Sequence, residues 1–218
     1  MSRTHAPSGW QYRTHDPEGL HEELWGWVSG RDGWDIGANE GQSVDRMKAN
    51  GFETVLAVEP ALESFRILER EWPSGFQGVV LRNEAVGACR GLMDLSVRMT
   101  PIRGGQLVAP WVSPSGWYGT ELYQRSVRCT TLDELQGEYG QPDFIKIDTE
   151  GFEEQILQGG RSVIQVGCSW LIEFHSPALK ESCVEMLGRN PAHEIRVLDN
   201  PESADGNGWL LVKFDEEA

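Results

Sequence analysis

Three scarcities narrow what this chain can be. Its four cysteines (Cys89, Cys129, Cys168 and Cys183) form neither a CxxC pair nor a short zinc-type spacing, so no disulfide framework or zinc module is expected. No stretch reaches the roughly 18 unbroken apolar residues of a membrane span, and the opening Met-Ser-Arg-Thr-His-Ala-Pro contains no apolar signal core. Basic residues are the third shortage: 19 lysines and arginines face 34 acids, a net charge of −15 that repels phosphate backbones and anionic membranes. The expectation is a cytoplasmic protein with neither nucleic acid nor membrane as partner.

What is present is an ordinary globular mixture, 39% hydrophobic and 24% charged over 218 residues, enough for one substantial core. Residues 1–30 are expected to form an N-terminal extension ending in a short covering helix, with Leu20, Leu24, Trp27 and Val28 at helical spacing. From residue 31 to 218 the chain reads as one α/β domain. A strand closes at Asp35, a glycine turn follows, and Val44, Met47 and Phe52 mark a helix stopped near Asn50-Gly51. The β-branched strand Thr54–Val58, a helix bearing Leu62, Phe65 and Leu68, and a strand through Val79-Val80-Leu81 complete a second β-α-β unit. Such alternation predicts a parallel sheet covered on both faces, with ligands at the carboxyl ends of its strands.

Between a strand at Leu92–Met99 and another near Ser126–Cys129 the rhythm fails. Pro101, Gly104-Gly105, Pro110, Pro114 and Gly116 predict a long loop over about 100–126, and its aromatics Trp111, Trp117 and Tyr118 make it the candidate substrate loop. Regular order resumes with a short helix at Leu132–Leu135, capped by Thr130 or Thr131, and the strand Phe144–Ile147 ending at Asp148. After Thr149-Glu150-Gly151 a helix carries Ile156 and Leu157 to a stop at Gly159-Gly160, and the strand Trp170–Ile172 ends at Glu173-Phe174-His175. A helix around Lys180–Leu187 and strands at Glu194–Leu198 and Trp209–Val212 close the chain. The last two strands suit an antiparallel edge on the parallel sheet.

The turn Gly37-Ala38-Asn39-Glu40-Gly41 supplies small residues for close backbone approach, and the helix behind it offers free N–H groups. A dinucleotide site would use G-x-G-x-x-G to seat a pyrophosphate. Here Asp35 precedes the turn and Glu40 lies inside it, which favours a ligand with a positive centre such as S-adenosylmethionine. Glu59, 24 residues beyond Asp35 and followed by Pro60, is placed to accept ribose hydroxyls. Asn83 and Ala85 fall where an adenine would lie; an ordinary turn is the alternative for both.

Asp35-Ile36-Gly37-Ala38-Asn39-Glu40-Gly41, Val58-Glu59-Pro60, Thr131-Leu132-Asp133-Glu134-Leu135, Phe144-Ile145-Lys146-Ile147-Asp148-Thr149-Glu150-Gly151-Phe152-Glu153 and Leu171-Ile172-Glu173-Phe174-His175 occur in that order. Together they resemble the FkbM-type methyltransferases over roughly residues 30–212. The resemblance implies a Rossmann-like class I methyltransferase fold, with a mostly parallel seven-stranded sheet, an antiparallel edge strand and helices on both faces. It also implies S-adenosylmethionine as donor and a small-molecule or peptide acceptor, methylated on a hydroxyl oxygen or an amide nitrogen.

Removing the acceptor proton needs a base, and Asp148, Glu150, Glu173 and His175 are the candidates. Asp148 ranks first, with a further place in the cofactor cleft. Glu150 serves equally well as a helix-start acid, and His175 as a turn residue before Pro177. Lys146, within an apolar strand, requires a carboxylate partner, with Asp148 and Glu173 as the options. No metal is assigned, although these groups are also hard-ligand types. An NAD-dependent oxidoreductase and a non-catalytic cofactor-binding protein are the competing functional classes.

Overall fold

The computed structural model describes residues 24–101, 107–112, 122–200 and 206–215. Five strands lie parallel: β1 (Asp32–Ile36), β2 (Thr54–Val58), β3 (Val79–Arg82), β8 (Phe144–Ile147) and β9 (Ser169–Phe174). Strand β11 (Gly208–Phe214) joins β9 antiparallel, and β10 (His193–Asp199) pairs antiparallel with β11 at the edge. The order is β10-β11-β9-β8-β1-β2-β3, the seven-stranded α/β architecture expected from the sequence.

Side-chain alternation sorts the core onto two faces. Trp34 and Ile36 of β1 with Ile145 and Ile147 of β8 pack under α3 (Leu132–Tyr139), α4 (Glu153–Gln158), α5 (Arg161–Val166) and α6 (Pro177–Leu187). The opposite face holds Val55, Ala57, Phe144 and Leu171 beneath α1 (Gln42–Ala49) and α2 (Leu62–Glu71). Val44 and Met47 of α1 are fully buried there, each contributing about 1.5–3 kcal/mol. Local signals set the helix ends. Thr131, rather than Thr130, caps α3 by accepting from Glu134 N–H, and Ser176 caps α6 ahead of Pro177. Helix α5, just after Gly159-Gly160, is absent from the sequence expectation, which ended the helical segment there.

The loop expected over about 100–126 requires correction. Residues Leu107–Val112 form a strand, β6, and β7 (Leu122–Thr130) begins already at Leu122. With β4 (Ala85–Val86) and β5 (Gly91–Pro101) they make a second sheet of order β4-β7-β5-β6. Pro110 reads as a loop residue in the sequence because proline lacks a ladder donor. It is tolerated here because, among the described residues, β6 is an edge strand bonded only to β5. Trp117 and Tyr118 lie outside the described residues; Trp111 sits on β6 in register with Arg98 of β5. Among the described residues no helix is long and apolar enough to cross a membrane.

Candidate active site

Three adjacent strands, β2, β1 and β8, end at or beside an acid: Glu59, Asp35 and Asp148. The turn after β1 is zippered to β2, since Gly37 N–H and Ala38 N–H both donate to Val58 O at 3.0 and 3.1 Å. Asn39 takes a left-handed φ of 50°, and Gly37 one of 80°. A Cβ on Gly37 would lie 2.0 Å from Asp148 O. The glycine is therefore demanded by the neighbouring backbone, whereas the sequence alone suggests close approach of a ligand. At Gly41 a Cβ would meet Leu68 of α2 at 2.9 Å.

Glu59 is 5% exposed and closes the turn: Oε2 accepts from Asn39 N–H at 2.9 Å and Oε1 from Ala61 N–H at 2.7 Å. Burial outweighs these bonds and pushes its carboxyl up to about 7. Asn83 donates its amide to Glu59 O and Pro60 O at 2.8 and 3.2 Å, so this side chain braces the β2 end. Ala85 is buried on β4.

Asp35 is fully buried, and its register partner across β1 and β8 is Lys146. Lys146 Nζ stands 3.4 Å from Asp35 Oδ1, 3.3 Å from Asp148 Oδ2 and 3.4 Å from Gly37 O. The lysine is thus paired with Asp148, as one option held, and also with Asp35, which local sequence gave no reason to choose. Burial opposes its charge, but Asp148, Asp35 and Glu173 outweigh burial and raise its pKa. Burial likewise raises Asp35, against the opposing pull of Lys146. Both Asp35 oxygens lack a well-formed hydrogen bond; the ion pair at 3.4 Å supplies charge balance without alignment.

The second half of the site joins the β8 and β9 ends. His175 Nε2 lies 3.5 Å from Glu150 Oε2 and 4.0 Å from Asp148 Oδ1, while Nδ1 meets Glu153 Oε1 at 3.1 Å. Burial pulls the imidazole down, but the Glu153 bond and the carboxylates of Glu153, Asp148 and Glu150 prevail and push it up to about 9. Glu150, at a left-handed φ of 56°, is pushed up to about 7, chiefly by burial. Burial and the nearby Asp148 also raise Glu173. The four proposed acid-base residues therefore form one cluster. Glu153, fully buried at the start of α4, is a member that the sequence reading missed; an acid in a first helical turn had an adequate local explanation.

Donor atoms of Asp148, Glu173 and His175 lie within 4.8 Å of one another, a spacing at which a divalent cation can be held. A groove of about 870 Å³ between α4, α5 and α6, lined by Leu157, Ile164 and Met186 among others, shares no residue with this site.

The residues also fit a nucleoside-bearing cation. Asp35 has two buried acceptor oxygens without a hydrogen bond beside the turn, and Glu59 is an acceptor-rich carboxylate at the end of the neighbouring strand.

Comparison with known proteins agrees with this geometry. A family model described as the methyltransferase FkbM domain matches residues 35–200. None of the curated proteins matches the sequence. Among solved structures, an rRNA methylase from Streptococcus thermophilus has 8% identity and a TM-score of 0.54, over 89% of this chain and 93% of the other. A candidate methyltransferase from Streptococcus mutans, solved in complex with SAH, has 6% identity and a TM-score of 0.55, over 90% and 96%. A candidate rRNA methylase from Clostridium thermocellum has 8% identity and a TM-score of 0.53, over 91% and 95%. At such identities the likeness is one of fold.

Proposed function

Because the chain belongs to the FkbM methyltransferase family, we propose that it moves a methyl group from S-adenosylmethionine to a hydroxyl oxygen of a small molecule such as a natural product or sugar. The observation that carries this reading is the convergence of two carboxylate sets. Asp35 and Glu59 flank the glycine turn, and Asp148, Glu150, Glu173 and His175 gather at the next two strand ends.

When bound, S-adenosylmethionine supplies a methyl group on a cationic sulfur. Asp35 and Glu59, with Gly37, Ala38, Asn39, Gly41 and Pro60 shaping the turn, would hold the donor, and Asn83 and Ala85 would line its adenine side. Orientation of donor and acceptor is worth roughly 7–11 kcal/mol in well-aligned pairs. Asp148 has Oδ2 occupied by Lys146, so Oδ1 orients the acceptor. Glu150, whose pKa of about 7 suits a base at neutral pH, would take the acceptor's hydroxyl proton. Such a base adds about 10²–10⁴-fold. Glu173, raised by burial, stands beside Asp148, and His175 supplies a compensating positive charge. Trp111, Trp117 and Tyr118 are proposed acceptor contacts on the substrate segment over about 100–126.

Two structural neighbours bear names of rRNA methylases. The net charge of −15 disfavours a polyanionic acceptor here, and a cluster of four acids around the proposed acceptor place does so again.

The test is incubation with labelled donor and fractionated extract, followed by mass analysis of whatever gains label. An oxygen-methylated small molecule is expected; label on a peptide nitrogen or on RNA would sink the acceptor assignment. Calorimetry should show greatly weakened S-adenosylmethionine binding by Asp35→Ala and Glu59→Ala.

A further inference from the structure

We propose that Glu153 is the positioning residue of this site: it fixes the His175 ring so that Nε2 is presented to Asp148 and Glu150 at the acceptor cleft. The proposal rests on the methyl-transfer reading only in naming that cleft. The ring's orientation stands on geometry alone.

Glu153 is fully buried in the first turn of α4, and one of its oxygens, Oε1, gathers contacts from two chain segments. From the turn after β8 it accepts Thr149 N–H at 3.3 Å, Thr149 Oγ1 at 3.2 Å and Gly151 N–H at 3.0 Å. From the end of β9 comes His175 Nδ1 at 3.1 Å. An oxygen already accepting three bonds cannot donate to the ring, so Nδ1 carries a proton and Nε2 is the atom left facing the cleft. There it lies 3.5 Å from Glu150 and 4.0 Å from Asp148.

A purely structural reading is available, because a first-turn carboxylate that caps the preceding turn would also be buried. The separation of segments argues against sufficiency of that reading. The cap needs only Thr149 and Gly151, yet the same oxygen reaches a ring 22 residues away. It thereby locks the strand ends that hold Asp148 and Glu173 into one arrangement. The charged and titratable groups around the ring are Lys146 and Asp148 from β8, Glu150 from the turn, Glu153 from α4 and Glu173 from β9, with Cys183 of α6 beside Glu153.

Nuclear magnetic resonance of ¹⁵N-labelled full-length protein tests the assignment without any acceptor. His175→Gln identifies the His175 signals. In the wild type, proton-coupled nitrogen shifts are expected to show Nδ1 protonated throughout the accessible pH range. Glu153→Gln keeps an amide oxygen for the turn N–H groups but loses the charge, so it should lower the His175 titration midpoint by at least about one pH unit. By the same linkage its melting temperature should fall at neutral pH and approach the wild-type value above about pH 9. A neutral ring protonated on Nε2 in the wild type, or a midpoint unmoved in Glu153→Gln, would overturn the proposal. The wild-type measurement decides if the variant does not fold. Failure to find methyl transfer would leave either result standing, so the two readings fail separately.

Discussion

Asp35 and Lys146 face each other in register on β1 and β8, and their charged groups meet at 3.4 Å with both residues buried. The lysine serves Asp148 as well, at 3.3 Å. Removing one member of a buried pair leaves the other uncompensated, at a cost of about 3–5 kcal/mol. Lys146→Met should lose that much in urea unfolding. The double variant Asp35→Asn/Lys146→Met should lose less than the sum of its singles. Additive losses would show that the two charges do not interact.

Gly37→Ala should be far more damaging than Gly51→Ala, although both positions have positive φ. At Gly51 an added Cβ meets nothing within 4 Å, so only the left-handed backbone penalty of about 1–2 kcal/mol applies. At Gly37 the same atom would sit 2.0 Å from Asp148 O, forcing β1 and β8 apart at their ends. Chemical unfolding of the two variants measures the difference; equal losses would contradict the crossing.

Cofactor affinity should rise with pH through about 7, where buried Glu59 ionises. The ionised form is the stronger acceptor for hydroxyl groups, so binding favours proton loss and tightens as pH increases. Calorimetry at pH 6 and 8 should show this trend in the wild type and lose it in Glu59→Gln. An unchanged slope in that variant would assign the titration elsewhere.

Stability should fall as the solution is made alkaline. The folded pKa of His175, about 9, exceeds its ordinary 6.5, so the folded state holds the proton more tightly. That contribution is complete below 6.5 and vanishes as pH rises through 9. Glu59 and Glu150, raised to about 7, also make the folded state the tighter proton binder, and stability declines between about 4.5 and 7. Melting temperatures should decrease across both intervals, and His175→Gln should remove the decline between 6.5 and 9 that belongs to its own proton.

Chelation should leave methyl transfer intact at neutral pH. Asp148, Glu173 and His175 have the spacing to hold a metal, but Lys146 and the protonated ring of His175 already supply positive charge there. A metal would have to displace the His175 proton, a competition that weakens as pH rises. Activity lost in EDTA and restored by Mn²⁺ would reassign the cluster as a metal centre.

The β-α-β rhythm, the acids at the strand ends and the cap on α3 are legible because each depends on neighbours a few residues away. Alternation of side chains, glycine turns and hydroxyl caps act locally. The hairpin of β5 and β6 was not legible, since proline looks the same in a loop and on an edge strand until the sheet order is known.

The candidate site divides the same way. Sequence alone determined which acids would stand at the carboxyl ends of β1, β2, β8 and β9, because strand ends and turns are written in adjacent residues. Only the tertiary structure decided that Lys146 pairs with Asp35, that Gly37 is crowded by Asp148 O, and that Glu153 holds His175. Those contacts span 111, 111 and 22 residues. Each depends on parallel register and helix placement, which form only when distant segments pack and which no local pattern encodes.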